Sequence, residues 1–461
     1  MSGVRHIALF VGLATALAGC VSFQSRPLNA EKRAADFESR TLADAGLKKF
    51  MGTNTVTGTW NLEALTLAAF YFHPDLAAAR AKWATATAGM ITAGQRPNPT
   101  VSVSPAYNTT TAIPSPWIVT ASLDVPIETA GKRRYRILQA RHLTEAARHG
   151  IASTAWAVRT RLRLALLEVW AAQESATLLE QQFAAQEEIT RMLDSQHAAG
   201  VATLAEAMRE RIALEQTRLA LLDARQRRTL ARVQLAGALG LSVRALDGVT
   251  LSFVEFAKPP AELPAAEARQ RALLSRADVL AALAEYGAGE AALRLEIAKQ
   301  YPDVHLNPGY EFDQGDHKWG VGLSLELPLL NQNRGPIAEA EAHRQELAAQ
   351  FNALQARVLG EIETAQAGCK TARQKLAAVA TMLEQLDRQE RLVRDQLAAG
   401  EVSRQAVAAA RLERTTAALA VLDARLKAQQ ALGQLEGALQ SPLELPAALF
   451  APKPVRSAKT K

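Results

Sequence analysis

The sequence predicts a mainly α protein with a small β part, made of two tandem copies of one unit built on a long-helix hairpin. Three observations carry that reading. Similar short strings recur at an offset of about 200 residues. Apolar residues recur in alternating threes and fours over stretches much longer than a globular helix needs. Four separate segments of about ten residues alternate with a period of two instead, as strands with one apolar and one polar face do.

The chain opens with Arg5 and His6 ahead of the apolar run IALFVGLATALAGC, which ends in Leu17-Ala18-Gly19-Cys20. A short positive region, an apolar stretch and small residues before a cut site describe a secretory signal, too short to span a membrane as a helix. The closing LAGC resembles a bacterial lipobox. Residues 1–19 are therefore expected to be a lipoprotein-type signal peptide, with Cys20 the lipidated first residue of the mature chain. Val21 follows rather than Asp, so nothing resembles an inner-membrane retention signal. Residues 20–60 then read as a lipid-anchored N-terminal linker or surface wrap. Of the two cysteines only Cys369 is left, which excludes an intrachain disulfide framework.

The duplication can be followed residue by residue. Asp75-Leu76-Ala77-Ala78 matches Asp278-Val279-Leu280-Ala281, and Pro99 and Tyr107 match Pro302 and Tyr310. Ser122-Leu123-Asp124-Val125-Pro126-Ile127 matches Ser324-Leu325-Glu326-Leu327-Pro328-Leu329. Ala198-Ala199-Gly200 returns as Ala398-Ala399-Gly400, and Leu222-Asp223-Ala224-Arg225 as Leu422-Asp423-Ala424-Arg425. Each unit reads helix, strand, strand, long helix, turn, long helix. The first repeat covers 61–240 and the second 265–440, with a Pro-bearing connector at 241–264 and a tail at 441–461. The opening helix of the first unit is expected from Leu62 to Gly94, its counterpart from Ala265 to Lys299.

In the second unit Leu347, Phe351, Leu354 and Val358 are followed by Ile362, Ala365, Cys369, Ala372, Leu376, Val379, Leu383 and Leu386. That is a coiled-coil seam with one register shift. Cys369 lies on it as a small buried hydrophobe. The helix from Gly335 to Ala398 would be roughly 90 Å long at 1.5 Å per residue. At Gly200 and Gly400 the chain turns back, since glycine suits the left-handed position after a helix.

In the strands, Trp117, Val119 and Leu123 alternate with Ile118, Thr120 and Ser122, and Trp319, Val321 and Leu323 alternate with Lys318, Gly320, Gly322 and Ser324. Segments of this length suit a tilted strand crossing a bilayer, with these six apolar residues facing lipid and the two tryptophans at an interface. A small soluble sheet on a helical core is the other possibility. Four strands leave open edges, which lipid does not tolerate. Two protomers would supply eight strands and three would supply twelve. Only the larger ring leaves an aqueous lumen, which points to an oligomeric pore, most simply a trimer.

Duplicated helix–strand–strand–helix–helix units behind a lipobox resemble the TolC-type outer-membrane efflux proteins over about Leu62 to Gln440. The strand-to-helix junctions carry the sharpest likeness. Pro126-Ile127-Glu128-Thr129-Ala130-Gly131-Lys132-Arg133-Arg134 is similar to the PIETGGKRR-like stretch of the CzcC-like heavy-metal branch. Pro328-Leu329-Leu330-Asn331-Gln332-Asn333-Arg334-Gly335 is similar to the second junction, PLFNRNQG, with Leu330 in place of Phe and the later polar residues reordered. The resemblance implies a homotrimer whose twelve strands form an outer-membrane β-barrel, continued into the periplasm by an α-barrel. It implies a periplasmic adaptor protein and an inner-membrane efflux pump of the resistance–nodulation–division type as partners. The adaptor would grip the hairpin tips at Gly200, Val201, Gly400 and Glu401. Family channels narrow near this end, often with acidic rings, which makes Asp194, Glu206, Asp395 and Glu401 candidate constriction residues.

Other chemistry finds little support. The formal net charge of +7 comes from basic residues interspersed with acidic ones, with no basic patch interleaved with aromatics, so nucleic acid is not expected as a partner. No HExxH, CxxC or phosphate-cradling glycine loop occurs, and no enzyme activity, cofactor or metal site is expected. His142 and His149, flanked by Arg141 and Arg148, read as a polar helix surface. Two further readings stay open: the duct of a type I secretion system, and a lipid-anchored structural coiled coil without a pore.

Overall fold

The computed structural model describes residues 23–52, 58–110, 115–257, 265–440 and 449. The expected signal peptide, Cys20 and all of the tail but Leu449 lie outside them. The protein is two long-helix hairpins, a four-stranded sheet at one end and a packed belt between.

The helices α1 (Ala30–Glu38) and α2 (Ala45–Met51) precede a short strand β1 (Thr59–Trp60). This stretch is more than a linker. Leu42, Leu47 and Met51 are buried in the main core, and β1 pairs in parallel with β4 (Thr250–Leu251) of the connector. That pairing binds the segment ahead of the first repeat to the segment between repeats.

The expected helix from Leu62 to Gly94 is two helices, α3 (Leu62–Phe72) and α4 (Pro74–Gly94). Pro74 has no N–H to continue α3, and its ring keeps the preceding residue out of the α region, so His73 sits extended at φ −65°, ψ 128°. His73 becomes the N-cap of α4, its Nδ1 accepting the Asp75 N–H at 3.2 Å. Burial holds its pKa below the ordinary value; Arg161 adds to that and Asp75 opposes it. The Phe72 carbonyl freed at the break accepts from Arg40, whose Nη1 also donates to the Gly240 carbonyl. Gly240 cannot be replaced there: its φ is 74° and a Cβ would lie 2.9 Å from His73 Cα.

The second unit breaks at the matching place without a proline. After α5 (Lys132–Ala198), α6 (Leu204–Leu239) and a short α7 (Val254–Ala257), the expected helix from Ala265 to Lys299 is α8 (Ala265–Ser275) and α9 (Ala277–Ala298). Arg276 is extended between them at φ −59°, ψ 138°, and the Ala277 N–H donates to Gln440 Oε1 at 2.9 Å.

The long helices are as expected. α10 (Arg334–Ala398) has 65 residues, roughly 97 Å, and returns as α11 (Arg404–Leu439). All twelve seam positions from Leu347 to Leu386 are buried or half-buried, and the positions between them are mostly exposed. Cys369 packs against the seam cluster of Val358, Ile362 and Ala365, and burial pushes its thiol pKa up. The main core sits where α3, α5 and α6 meet the connector, around Phe70, Leu162, Leu166, Leu235 and Phe256.

Candidate functional site

Two regions carry the functional geometry, the sheet at one end and the hairpin tips at the other. The sheet is antiparallel in the order β2 (Thr100–Tyr107), β3 (Trp117–Ile127), β5 (Val304–Asp313), β6 (Asp316–Leu325). Its register decides which side chains share a face. Val101 lies opposite Leu123, Tyr107 opposite Trp117, Val119 opposite Phe312, Tyr310 opposite Trp319, Pro308 opposite Val321 and Leu306 opposite Leu323. All six apolar strand residues singled out in the sequence, Trp117, Val119, Leu123, Trp319, Val321 and Leu323, therefore fall on one face. The opposite face carries Ser102, Thr120, Ser122, Asp124, His305, Asn307, Glu311, Lys318 and Ser324.

The apolar face ends in an aromatic rim. Tyr107 and Trp117 meet edge to face with ring centroids 5.1 Å apart, and Tyr310 lies 4.8 Å from Trp319. On the polar face side chains satisfy one another. His305 Nδ1 is 2.9 Å from Asp124, Asn307 donates to Ser324 Oγ at 3.0 Å, and Lys318 reaches Asp313. Both edge strands, β2 and β6, are exposed along their whole length.

The junction motif ties the strands to the helices below. Lys132 Nζ donates to Asp303 at 2.8 Å and to the Tyr301 carbonyl at 2.7 Å. Thr129 N–H donates to the same Asp303 carboxylate, and Arg136 pairs with Glu128. Glu128, Thr129 and Lys132 of that stretch, with Arg136 just beyond it, thus fasten β3 to the start of β5 and the top of α5.

At the tips, α5 and α10 end alike. The Val201 N–H donates to the Gln196 carbonyl and Gly200 N–H to that of His197; Glu401 and Gly400 do the same to Gln396 and Leu397. Gly200 and Gly400 take φ of 75° and 80°, the left-handed turn expected of them. Val201 is exposed beside this turn. Of the four acidic candidates, two are committed within the first hairpin. Asp194 pairs with Arg211 at 3.0 Å. Glu206 closes a capping box with Thr203, and these hydrogen bonds hold its carboxyl below the ordinary value. Asp395 and Glu401 are exposed on the second tip and form no ion pair among the described residues.

Three buried charged groups escaped the sequence reading. Arg159 and Arg163 both reach Glu436, and Arg163 also donates to the Gln429 carbonyl at 2.6 Å. Arg276 binds Asp278, Glu361 and the Ala438 carbonyl. Near the second tip the buried Glu390 is surrounded by Arg394, Arg411 and Arg414. They belong to helix packing. Among the described residues no group of three or more His, Cys, Asp or Glu is arranged to hold a metal ion, and no helix is long and apolar enough to cross a membrane.

A duplicated hairpin protomer with a two-faced, open-edged sheet is the architecture of a channel-forming chain. Residues 71–241 and 268–440 match the outer membrane efflux protein family, and the chain belongs to it. The cobalt-zinc-cadmium resistance protein CzcC of Cupriavidus metallidurans is 25% identical over 229 residues, 48% of this chain and 52% of that protein. The match thus spans about half the length of that relative. Two solved structures share the fold. CusC superposes with a TM-score of 0.67 at 18% identity, covering 84% of this chain and 95% of the other. VceC from Vibrio cholerae gives 0.68 at 18% identity, covering 86% and 98%.

Proposed function

We propose that the chain is the outer-membrane channel component of a tripartite efflux system. It is a passive trimeric duct that receives substrate from an inner-membrane resistance–nodulation–division pump through a periplasmic adaptor. Heavy-metal cations are the proposed cargo class, supported by the partial match to a metal-resistance protein. The observation that carries the reading is the four-stranded sheet with one apolar face, one polar face and two open edges. Lipid solvates the first face and water the second, and unpaired edges require further copies of the sheet. Cys20 is the proposed lipid anchor. The duct performs no chemistry on its cargo.

Purified protein reconstituted into planar lipid bilayers should conduct ions and sediment as a trimer. A sealed bilayer together with monomers would overturn the reading.

The tips are the proposed adaptor contact, with Gly200, Val201, Gly400 and Glu401 at its centre. Asp395 and Glu401 supply the constriction charge, since Asp194 and Glu206 already have partners. Val201→Glu leaves the left-handed glycines untouched. It should weaken adaptor co-purification about tenfold, the equivalent of roughly 1.4 kcal/mol, with the trimer intact. Unchanged co-purification in Val201→Glu and in Glu401→Arg would place the adaptor contact elsewhere.

A further inference from the structure

We propose that Asp124 and His305, on the polar face of the sheet, form a transit site for borderline divalent cations such as Zn2+, one site in each chain. Its place in the lumen rests on the channel reading above, and it is where the proposed cargo class would touch the duct. The two residues stand 181 positions apart on neighbouring strands, so no sequence motif marks them. His305 Nδ1 lies 2.9 and 3.1 Å from the two Asp124 carboxylate oxygens. A carboxylate accepts and cannot donate, so Nδ1 carries the hydrogen and the neutral ring keeps its lone pair on Nε2. A carboxylate on one ring nitrogen orients a metal-binding histidine and makes its other nitrogen a better ligand. That nitrogen has no hydrogen-bond partner among the described residues, and both side chains remain more than a third exposed.

Charge, duplication and ligand number all favour a passing cation. The strand register puts Asp124, Glu311, Asp313 and Asp316 on the polar face against Lys318 alone, although the whole chain has a net charge of +7. A surface with that surplus of carboxylates concentrates cations. Below it the cationic side chains already have acids, Lys132 with Asp303 and Arg136 with Glu128, so neither cancels the charge of Asp124. By the offsets between the repeats Asp124 corresponds to Glu326 and His305 to Ser102: the acid recurs and the imidazole does not. Serine is enough for a polar strand face, and the histidine adds a nitrogen ligand that the second copy of the unit lacks. A resident metal is held by three or four protein ligands, and among the described residues no such group of His, Cys, Asp or Glu exists. One imidazole, with water in the other positions, binds weakly enough to let its cation go, which conduction requires.

The test is the reversal potential of the protein in planar bilayers under a potassium chloride gradient, with ZnCl2 and, separately, with the same concentration of MgCl2. A bound Zn2+ turns the net negative charge of each pair positive, so it should move the reversal potential reversibly toward that of chloride. Mg2+ prefers oxygen and keeps its water, and should not. His305→Gln should abolish the zinc response, and Asp124→Asn should raise the half-effective Zn2+ concentration about tenfold. His317→Gln should leave the response in place, because His317 lies opposite Phe312 on the apolar face with Nδ1 2.6 Å from the Tyr310 hydroxyl. Should His305→Gln fail to assemble, an unchanged half-effective concentration in Asp124→Asn overturns the site. A zinc response that survives in His305→Gln, a response that Mg2+ reproduces, or a conducting wild type that ignores Zn2+ overturns the site and leaves the channel standing. Wild-type protein that does not conduct overturns the channel reading and the site with it.

Discussion

Val321→Arg should abolish the membrane-inserted oligomer, whereas Ser324→Arg three residues away should leave it in place. Both residues are in β6 and exposed in the single chain, so solvent exposure does not separate them. The register does. Val321 lies opposite Pro308 on the face shared with Leu306, Leu323 and Trp319; Ser324 lies opposite His305, on the face shared with Asn307 and Asp124. An arginine at mid-depth on the lipid face of a barrel costs about 2–4 kcal/mol, and each protomer of the ring would carry one. On the lumen face the guanidinium remains in water. There the loss is the hydrogen bond from Asn307 to Ser324 Oγ, worth about 1 kcal/mol. The measurement is the amount of trimer in the outer-membrane fraction on unheated gels. Equal loss in both variants would mean that the two faces meet the same solvent, as in a soluble sheet.

Much of this geometry was open to reading because its signals are local and repeated. Strand alternation has a period of two, so a single pairing is enough to sort Trp117 through Leu325 onto two faces. The glycine turns at 200 and 400 were legible for the same reason: a single residue type is suited to a single backbone conformation. The helix breaks were half legible. His73-Pro74 announces a boundary, and the apolar run through Leu62–Phe72 hid it. At Arg276 no sequence signal marks the break, which is held by partners on other helices. The buried arginines were illegible for a related reason. Arg163 and Gln429 are 266 residues apart, and in helices rich in Arg and Glu a buried pair looks like any solvated one. The pairing of the N-terminal stretch with the connector was illegible because β1 has two residues, too few to show a period.

Arg276→Met should destabilise the helical body far more than Arg161→Met, although each arginine pairs with the aspartate that follows the helix break of its repeat, Asp278 or Asp75. Arg276 is 6% exposed and caps α9. Its guanidinium donates to Asp278 at 3.0 and 2.7 Å, to Glu361 on α10 at 3.0 Å and to the Ala438 carbonyl near the end of α11 at 2.8 Å. One group thus joins three helices at the point where α8 stops. Removing it leaves a mostly buried carboxylate and a buried carbonyl without their partner, which costs about 3–5 kcal/mol. In the first repeat the break is held by Pro74 and the Arg40 hydrogen bonds, while Arg161 is more than half exposed in its 3.5 Å contact with Asp75. Its loss should cost under about 1 kcal/mol. The pH dependence separates charge from packing. Burial alone would raise the Asp278 pKa, but the Arg276 hydrogen bonds and charge, with the Val279 N–H, outweigh it and hold the carboxyl below its ordinary value. Stability from this group is therefore present above the ordinary Asp pKa of ~3.9 and lost as pH falls through the lowered value. In Arg276→Met burial is opposed only by the Val279 and Asp278 backbone N–H groups, so the pKa of the folded carboxyl rises from its wild-type position. The gap between wild type and variant, read from urea titrations of the helical signal, should narrow as pH is lowered from neutral toward the carboxylate range. Adding Asp278→Asn to Arg276→Met should recover part of the loss at neutral pH, because the uncompensated charge is gone. A gap that stays constant with pH, or no recovery in the double variant, would assign the role of Arg276 to packing rather than to its charge.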